Sequence, residues 1–497
     1  MVPWKKGAHS PMQRSQSFIL TAFIAAVFAY PLYCSPTESG KEGALDASRL
    51  SCGLELVVME DHSSPFARVD LVIRGGAEGQ TSETAGYYHI LEHLLLDHRE
   101  GSATIAERVK ALAPPSWGAE TSAEYLAFRM SVLSSDVGEG ISIWADMMAV
   151  ESFSVDELEV ARRKSMEEAA RRFINPEGIY EGIMTKRLFS RSPWRRDPAG
   201  SEKALKSATP EALSQLKLAT VVPSNSILIV AGDVDPKAAR LQAELAFRKW
   251  KGNQAQGAPV PHPKLGVVRP TWFFLPDPSV PEGMAILEIR YRGPDMATDI
   301  QAANAADLWA AMADSADGRL MKALAAAVPS LRSQPPPIIQ FLGQRSGSTI
   351  SVIAMLELGI KPSILKAVQT FKETFRGVEV TAMRANPGYF LPEEYAFARE
   401  RLVAERNSAL GSVDGYCEEV EYAWSASSLD WFSGYASALE AVGTKEVAAL
   451  LDTWILRNLE AVALRLNPKD AEREAKSLAG GGFEADSAKA AFWWQSK

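Results

Sequence analysis

His89, Glu92 and His93 fall within five residues, His89-Ile-Leu-Glu92-His93. Each residue of a helix advances by about 100°, so the three side chains would share one face. Two imidazoles at i and i+4 can reach a single metal ion. A carboxylate on the same face sits beside the ion's open position, where it can take a proton from water. The order inverts the commoner His-Glu-x-x-His arrangement. The bland alternative is a helix whose two histidines are satisfied by ordinary partners. The chain has six histidines in all, and two of them make this pair.

A catalytic zinc centre takes three protein ligands and keeps one position open. The third must come from another element. Glu167 and Glu168 lie on the long helical pattern Val155–Phe173, and spacing alone leaves both open. Glu157 and Glu159 share that pattern, but in its first turn, where acidic residues serve the helix dipole.

The elements that must position these groups form two similar halves. The first begins with strand patterns at Leu54–Met59 and Arg68–Ile73. Helices follow at Glu83–Asp97 and Thr104–Leu112, then a strand at Tyr125–Leu133 and helical patterns up to Leu188. It closes with a buried strand from Asn225, the turn Gly232-Asp-Val-Asp-Pro236, and a helix at Pro236–Phe247. The second half repeats the order: strand Ala285–Tyr291, helices Ile300–Met312 and Gly318–Val328, strand Thr349–Leu356, helix Ser363–Phe375, and a closing strand from Ala461. The expected architecture is a two-fold repeat of α+β domains at residues 45–252 and 271–470. A Gly-, Gln- and Pro-rich linker at 253–270 joins them. The Ala- and Gly-rich tail, 471–497, is expected to be loosely ordered until its Phe492-Trp-Trp end.

The 497 residues carry a net charge of −8, so no global basic field exists to draw nucleic acid. Lys5, Lys6 and Arg14 precede a short apolar run, Phe18–Ala29, which predicts a secretory signal over residues 1–34 and an exported, periplasmic protein. Cys34 makes a poor lipid-anchor site, because Pro31-Leu32-Tyr33 lacks the small residue expected before the cysteine. No other stretch is long and apolar enough to span a bilayer. Cys52 and Cys417 read as two buried free thiols.

These segments resemble the pitrilysin/insulinase family of inverted-motif zinc peptidases, which includes the mitochondrial processing peptidases. The resemblance runs from Leu54 to Pro468. It rests on Gly75 with Glu78, on Gly86-Tyr-Tyr-His89-Ile-Leu-Glu92-His93, and on Ala119-Glu-Thr-Ser-Ala-Glu-Tyr125. It continues with Glu167-Glu168 before Pro176, with Asn225 and Gly232-Asp-Val-Asp235, and with Asp317-Gly-Arg-Leu-Met-Lys-Ala-Leu324.

The resemblance implies two homologous α/β-sandwich domains that form half of a clam-shell. It implies one Zn²⁺ per chain, held by His89, His93 and Glu168, with Glu92 as general base. Glu168 is preferred to Glu167 because the family's glutamate precedes a proline by eight residues, and 176 − 168 = 8. A peptide substrate would lie along an edge strand at Gly118, Ala119, Glu120 and Thr121. The sequence holds one such unit, which implies a second subunit of the same family. The arginine and tyrosine that the family's second unit supplies are replaced by Ala325 and Arg332, so a heterodimer is favoured over a homodimer. Gly118 stands where asparagine is usual, and Tyr87 and Tyr88 replace smaller residues. The expected function is a zinc-dependent endopeptidase subunit that cleaves extended or unfolded peptides inside a two-subunit chamber. The alternative is a non-catalytic scaffold or peptide-binding subunit of the same fold.

Overall fold

A computed structural model describes residues 45–251 and 271–487, apart from positions 115, 173 and 191. The expected leader, the linker at 253–270 and the Phe492-Trp-Trp end lie outside them.

Two six-stranded mixed sheets organise the chain. The first runs Asp46–Arg49, Glu55–Glu60, Ser226–Gly232, Phe66–Arg74, Tyr125–Leu133 and Trp117–Thr121. Its closing strand, Ser226–Gly232, lies parallel to Glu55–Glu60 and antiparallel to Phe66–Arg74. The second sheet repeats this topology. Thr271–Pro276 lies parallel to the closing strand Glu460–Leu466, which pairs antiparallel with Met284–Arg292. Thr349–Glu357 and the edge strand Ile338–Leu342 follow.

Alternation along each strand gives a sheet two faces. Val69, Leu71 and Ile73 point into the first domain's own helices, where Leu91, Leu95 and Trp144 meet them. Val57, Val72, Ile227 and Ile229 point the other way. That face is covered by the second domain's helix Val413–Ala426, through Cys417, Val420 and Trp424. The exchange is mutual. The helix Pro176–Leu188, from the first half of the chain, packs Tyr180, Ile183 and Met184 on Phe273, Leu275, Ala461 and Ala463 of the second sheet.

Charged residues are buried at both seams. Arg290 bonds Glu288 on its own strand at 2.6 Å and both oxygens of Glu181 on the visiting helix at 2.7 and 2.8 Å. On the first sheet, Arg129 donates to Glu421 of the visiting helix at 2.9 Å and to Glu120 at 3.1 Å.

Several elements differ from expectation. The helix expected from Glu83 begins at Tyr87, because Gly86 sits at φ 94° and breaks the approach. The strands at 271–276 and 338–342 are additional. The helix expected at Ser363–Phe375 runs on as wider turns to Val380. The tail is not loose as far as it is described. Pro468–Gly480 is a helix capped by the Asn467 side chain, and buried Asp470 accepts from the Gly283 amide at 2.7 Å. Alanine-rich sequence favours a helix once an end is fixed. Phe483 then packs on Trp272, and Glu484–Ala485 adds a strand to the second sheet. Cys52 and Cys417 are free, the first half-buried and the second buried.

Removing one member of a buried ion network strands the others. Arg290→Ala should lower the unfolding free energy by about 3–5 kcal/mol, read from the urea midpoint. A loss below about 1 kcal/mol would show that Glu181 and Glu288 do not depend on it.

Candidate metal centre

The helix Tyr87–Asp97 is buried along its length except at Asp97. Its start demands glycine. A Cβ at Gly86 would lie 2.7 Å from the Gly200 Cα, and φ 94° is a conformation L side chains rarely adopt. The Gly86 amide donates to the Gln80 side chain at 2.9 Å. Tyr88 finds room because Gly75 faces it: a Cβ there would come within 2.8 Å of the Tyr88 ring.

His89 and His93 stand one turn apart, with ring centroids at 4.9 Å. The helix Val155–Arg172 crosses them, burying Leu158, Ala161, Ser165 and Ala169. Lys164 and Glu168 lie one turn apart on this helix. Lys164 Nζ donates to both carboxylate oxygens of Asp97 at 2.7 and 2.6 Å, tying down the end of the histidine helix. Glu168 Oε2 then lies 3.0 Å from His89 Nε2 and 3.5 Å from His93 Nε2. Glu167 is exposed and does not belong to this group.

The three side chains fit a zinc ion. One ligand atom from each lies within 4.8 Å of the others. Bonds of about 2.0–2.2 Å at tetrahedral angles would separate ligand atoms by roughly 3.3–3.5 Å, close to the 3.0 and 3.5 Å from Glu168 to the two imidazoles. The His93 Nε2 and His89 Nδ1 atoms are buried without a hydrogen-bond partner, a state that costs free energy. An ion would satisfy the first of them. The His89 hydrogen bond, and then the neighbouring His93 imidazole, hold the Glu168 carboxyl well below the usual carboxylate range, so it is available as an anionic ligand.

Glu92 lies on the same helix face and is buried. Thr121 Oγ1 donates to Glu92 Oε2 at 2.5 Å. Thr121 ends the edge strand Trp117–Thr121, which pairs on one side only, with Tyr125–Leu133. Side chains alternate along this strand. Trp117 and Ala119 pack with the first domain's core, as Thr121 faces its helix. Gly118 and Glu120 occupy the opposite face. Glu120 is engaged there by Arg129, and burial pushes its carboxyl above the usual range despite that partner. The four expected substrate-strand positions therefore divide: Thr121 is brought to Glu92, and the Glu120 side chain is turned to the domain seam. The hydroxyl contact of Thr121 leaves no mark in the sequence, because it arises only when strand and helix pack. The acidic residues set aside earlier have local partners: the Glu157 carboxylate accepts from the Ser154 amide at 2.8 Å and lies 2.9 Å from His98 Nδ1, and Glu159 pairs with Arg162.

Residues 56–191 match the family model described as insulinase, peptidase family M16. An uncharacterized zinc protease of Mycobacterium tuberculosis is 27% identical over 203 residues, covering 40% of this chain and 46% of that protein. The matched region thus spans about half the length of this curated relative. The first half of the periplasmic protease PqqL from Escherichia coli superposes with a TM-score of 0.69 at 14% identity, covering 91% of this chain and 96% of that one. A peptidase M16 inactive domain from Pseudomonas fluorescens gives 0.65 at 12% identity, covering 85% and 98%. The family match takes in His89, Glu92, His93 and Glu168, and the shared fold extends through the second sheet. Residues 56–191 thus match the insulinase family, peptidase family M16, and the whole described chain shares the fold of its solved members.

Proposed function

We propose that this chain is the zinc-bearing subunit of an endopeptidase that cleaves extended or unfolded peptides within a two-subunit chamber. The observation that carries this reading is the convergence of the His89 and His93 Nε2 atoms on one oxygen of Glu168. These three residues hold the ion. A zinc ion there supplies Lewis acidity and makes water a competent nucleophile near neutral pH. Glu92 takes the proton from the attacking water and passes it to the leaving amine. Thr121 fixes the rotamer of that carboxylate.

The outer edge of strand Trp117–Thr121 offers unpaired backbone groups to an extended peptide. Thr121 lies on that strand, so a peptide added there passes close to Glu92. Backbone pairing needs no side chain, and Gly118 is no obstacle to it. Ala325 and Arg332 stand where the family resemblance places an arginine and a tyrosine, so a related partner supplies that pair and closes the chamber as a heterodimer. Export to the periplasm follows from the leader expected at residues 1–34. No described helix is long and apolar enough to cross a membrane. The absent Arg–Tyr pair and the likeness to an inactive M16 domain favour a second reading, a scaffold or peptide-binding subunit. The intact ligand set and the restrained Glu92 weigh for catalysis.

Glu92→Gln should keep about one zinc per chain while peptide hydrolysis by the chain with its co-purified partner falls roughly 10²–10⁴-fold. Retained hydrolysis would sink the assignment of the base. Stoichiometric zinc without hydrolysis in the unaltered complex would select the scaffold. Glu168→Gln should empty the site by elemental analysis, whereas Glu167→Gln should leave it loaded; the reverse pattern would move the third ligand. Thr121→Val should lower kcat by roughly ten- to a hundredfold at unchanged zinc content, the loss expected for one hydrogen bond to a charged group. An unchanged kcat would remove Thr121 from the machinery.

A further inference from the structure

Glu168 is placed by the crossing of two helices, and polar contacts run along that crossing. Glu157, Lys164 and Glu168 follow one another at intervals of seven and four residues, which puts them on one face of the helix Val155–Arg172. Each meets the histidine helix or the residue after it. Glu157 Oε1 lies 2.9 Å from His98 Nδ1, Lys164 Nζ donates to both oxygens of Asp97 at 2.7 and 2.6 Å, and Glu168 Oε2 lies 3.0 Å from His89 Nε2.

The buried residues that accompany them include Ala161, Ser165 and Ala169. Such small side chains give close approach but only shallow ridges to stop one helix sliding along the other. Glu168 gains little from its own helix. Arg171 comes no nearer than 4.0 Å to Glu168 Oε1 and is exposed, so that pair is weak. The other flank of the helix is fastened independently: Arg162 donates to the Leu205 and Ala208 carbonyls, each at 2.8 Å. The helix therefore has the means to stay docked without Lys164.

We propose that Lys164 and Asp97 are positioning residues that set the zinc affinity of the centre, by holding Glu168 in register with His89 and His93. This rests on the zinc reading above. Neither residue is one of the three converging side chains. Metal–ligand distances tolerate only about 0.2 Å, and a helix advances about 1.5 Å per residue, so a slide of a fraction of a turn takes Glu168 out of place. A lysine bonded to both oxygens of one carboxylate fixes both the spacing and the direction of the crossing. The pair is partly exposed and adds little to global stability, so its effect falls on the ion.

Zinc affinity of the full chain would be measured by competition with a chelating dye, beside the urea midpoint of the zinc-free protein. Lys164→Met and Asp97→Asn should each weaken zinc binding roughly ten- to a hundredfold, the range usual for residues that orient a ligand, with the zinc-free midpoint nearly unchanged. The exchanged pair, Asp97→Lys with Lys164→Asp, should recover most of the loss. Arg163→Met, which removes the neighbouring exposed charge, should leave the affinity as it was. Undiminished affinity in both single variants would overturn the proposal. So would an equal loss in the Arg163 variant, an exchanged pair no better than the single variants, or a fall in midpoint large enough to account for the lost zinc. A full chain that binds no zinc at all would instead remove the metal reading, and this inference with it.

Discussion

A mixed sheet with apolar residues on both faces must be covered twice. Here each domain's own helices cover one face, and the other face is covered by a helix from the opposite domain. Val413–Ala426 closes the first sheet and Pro176–Leu188 closes the second. Neither sheet has a complete core alone. The two halves therefore form one unit although each has its own full topology, and two helix-on-sheet contacts hold them to one another.

The seams are marked by buried charge at equivalent places. Arg68 and Asp70 lie on strand Phe66–Arg74, and Glu288 and Arg290 lie on its counterpart, Met284–Arg292. Buried ion networks of this kind add little net stability over an apolar packing, but a shifted helix would leave charges unpaired. They serve register. Arg129 extends this to the edge strand, since it holds Glu120 together with Glu421 of the visiting helix. The edge strand is thus braced on both faces, by Thr121 to the histidine helix and by Glu120 to the second domain.

Periodicity revealed what is local. His89, Glu92 and His93 on one face, the strand Tyr125–Leu133 and the helix Pro236–Phe247 all follow from side-chain pattern. Residue spacing could not separate Glu167 from Glu168, because the choice depends on how two helices cross; the family register supplied it, and the 3.0 Å contact to His89 agrees. The exchanged helices were visible as helices, but nothing in their own pattern names the sheet they cover. Thr271–Pro276 escaped notice because Trp-Phe-Phe-Leu shows no alternation and follows a linker composition. The order of the tail is masked by its Ala and Gly content; it rests on the cap at Asn467 and on the long-range anchoring of Asp470, which composition does not show.

The position of Glu168 depends on close approach. The face of its helix toward the histidines carries Ala161, Ser165 and Ala169, each buried and small. Small side chains at this spacing let two helix axes draw together, and the Lys164–Asp97 pair fixes their sliding. Glu168 Oε2 then comes within 3.0 and 3.5 Å of the two imidazole Nε2 atoms. Of the three converging side chains it is also the open one: its side chain is 44% exposed against 11% and 10% for the histidines. The same packing buries two imidazoles and Glu92, so the helix crossing decides whether these side chains and Glu168 come together at all.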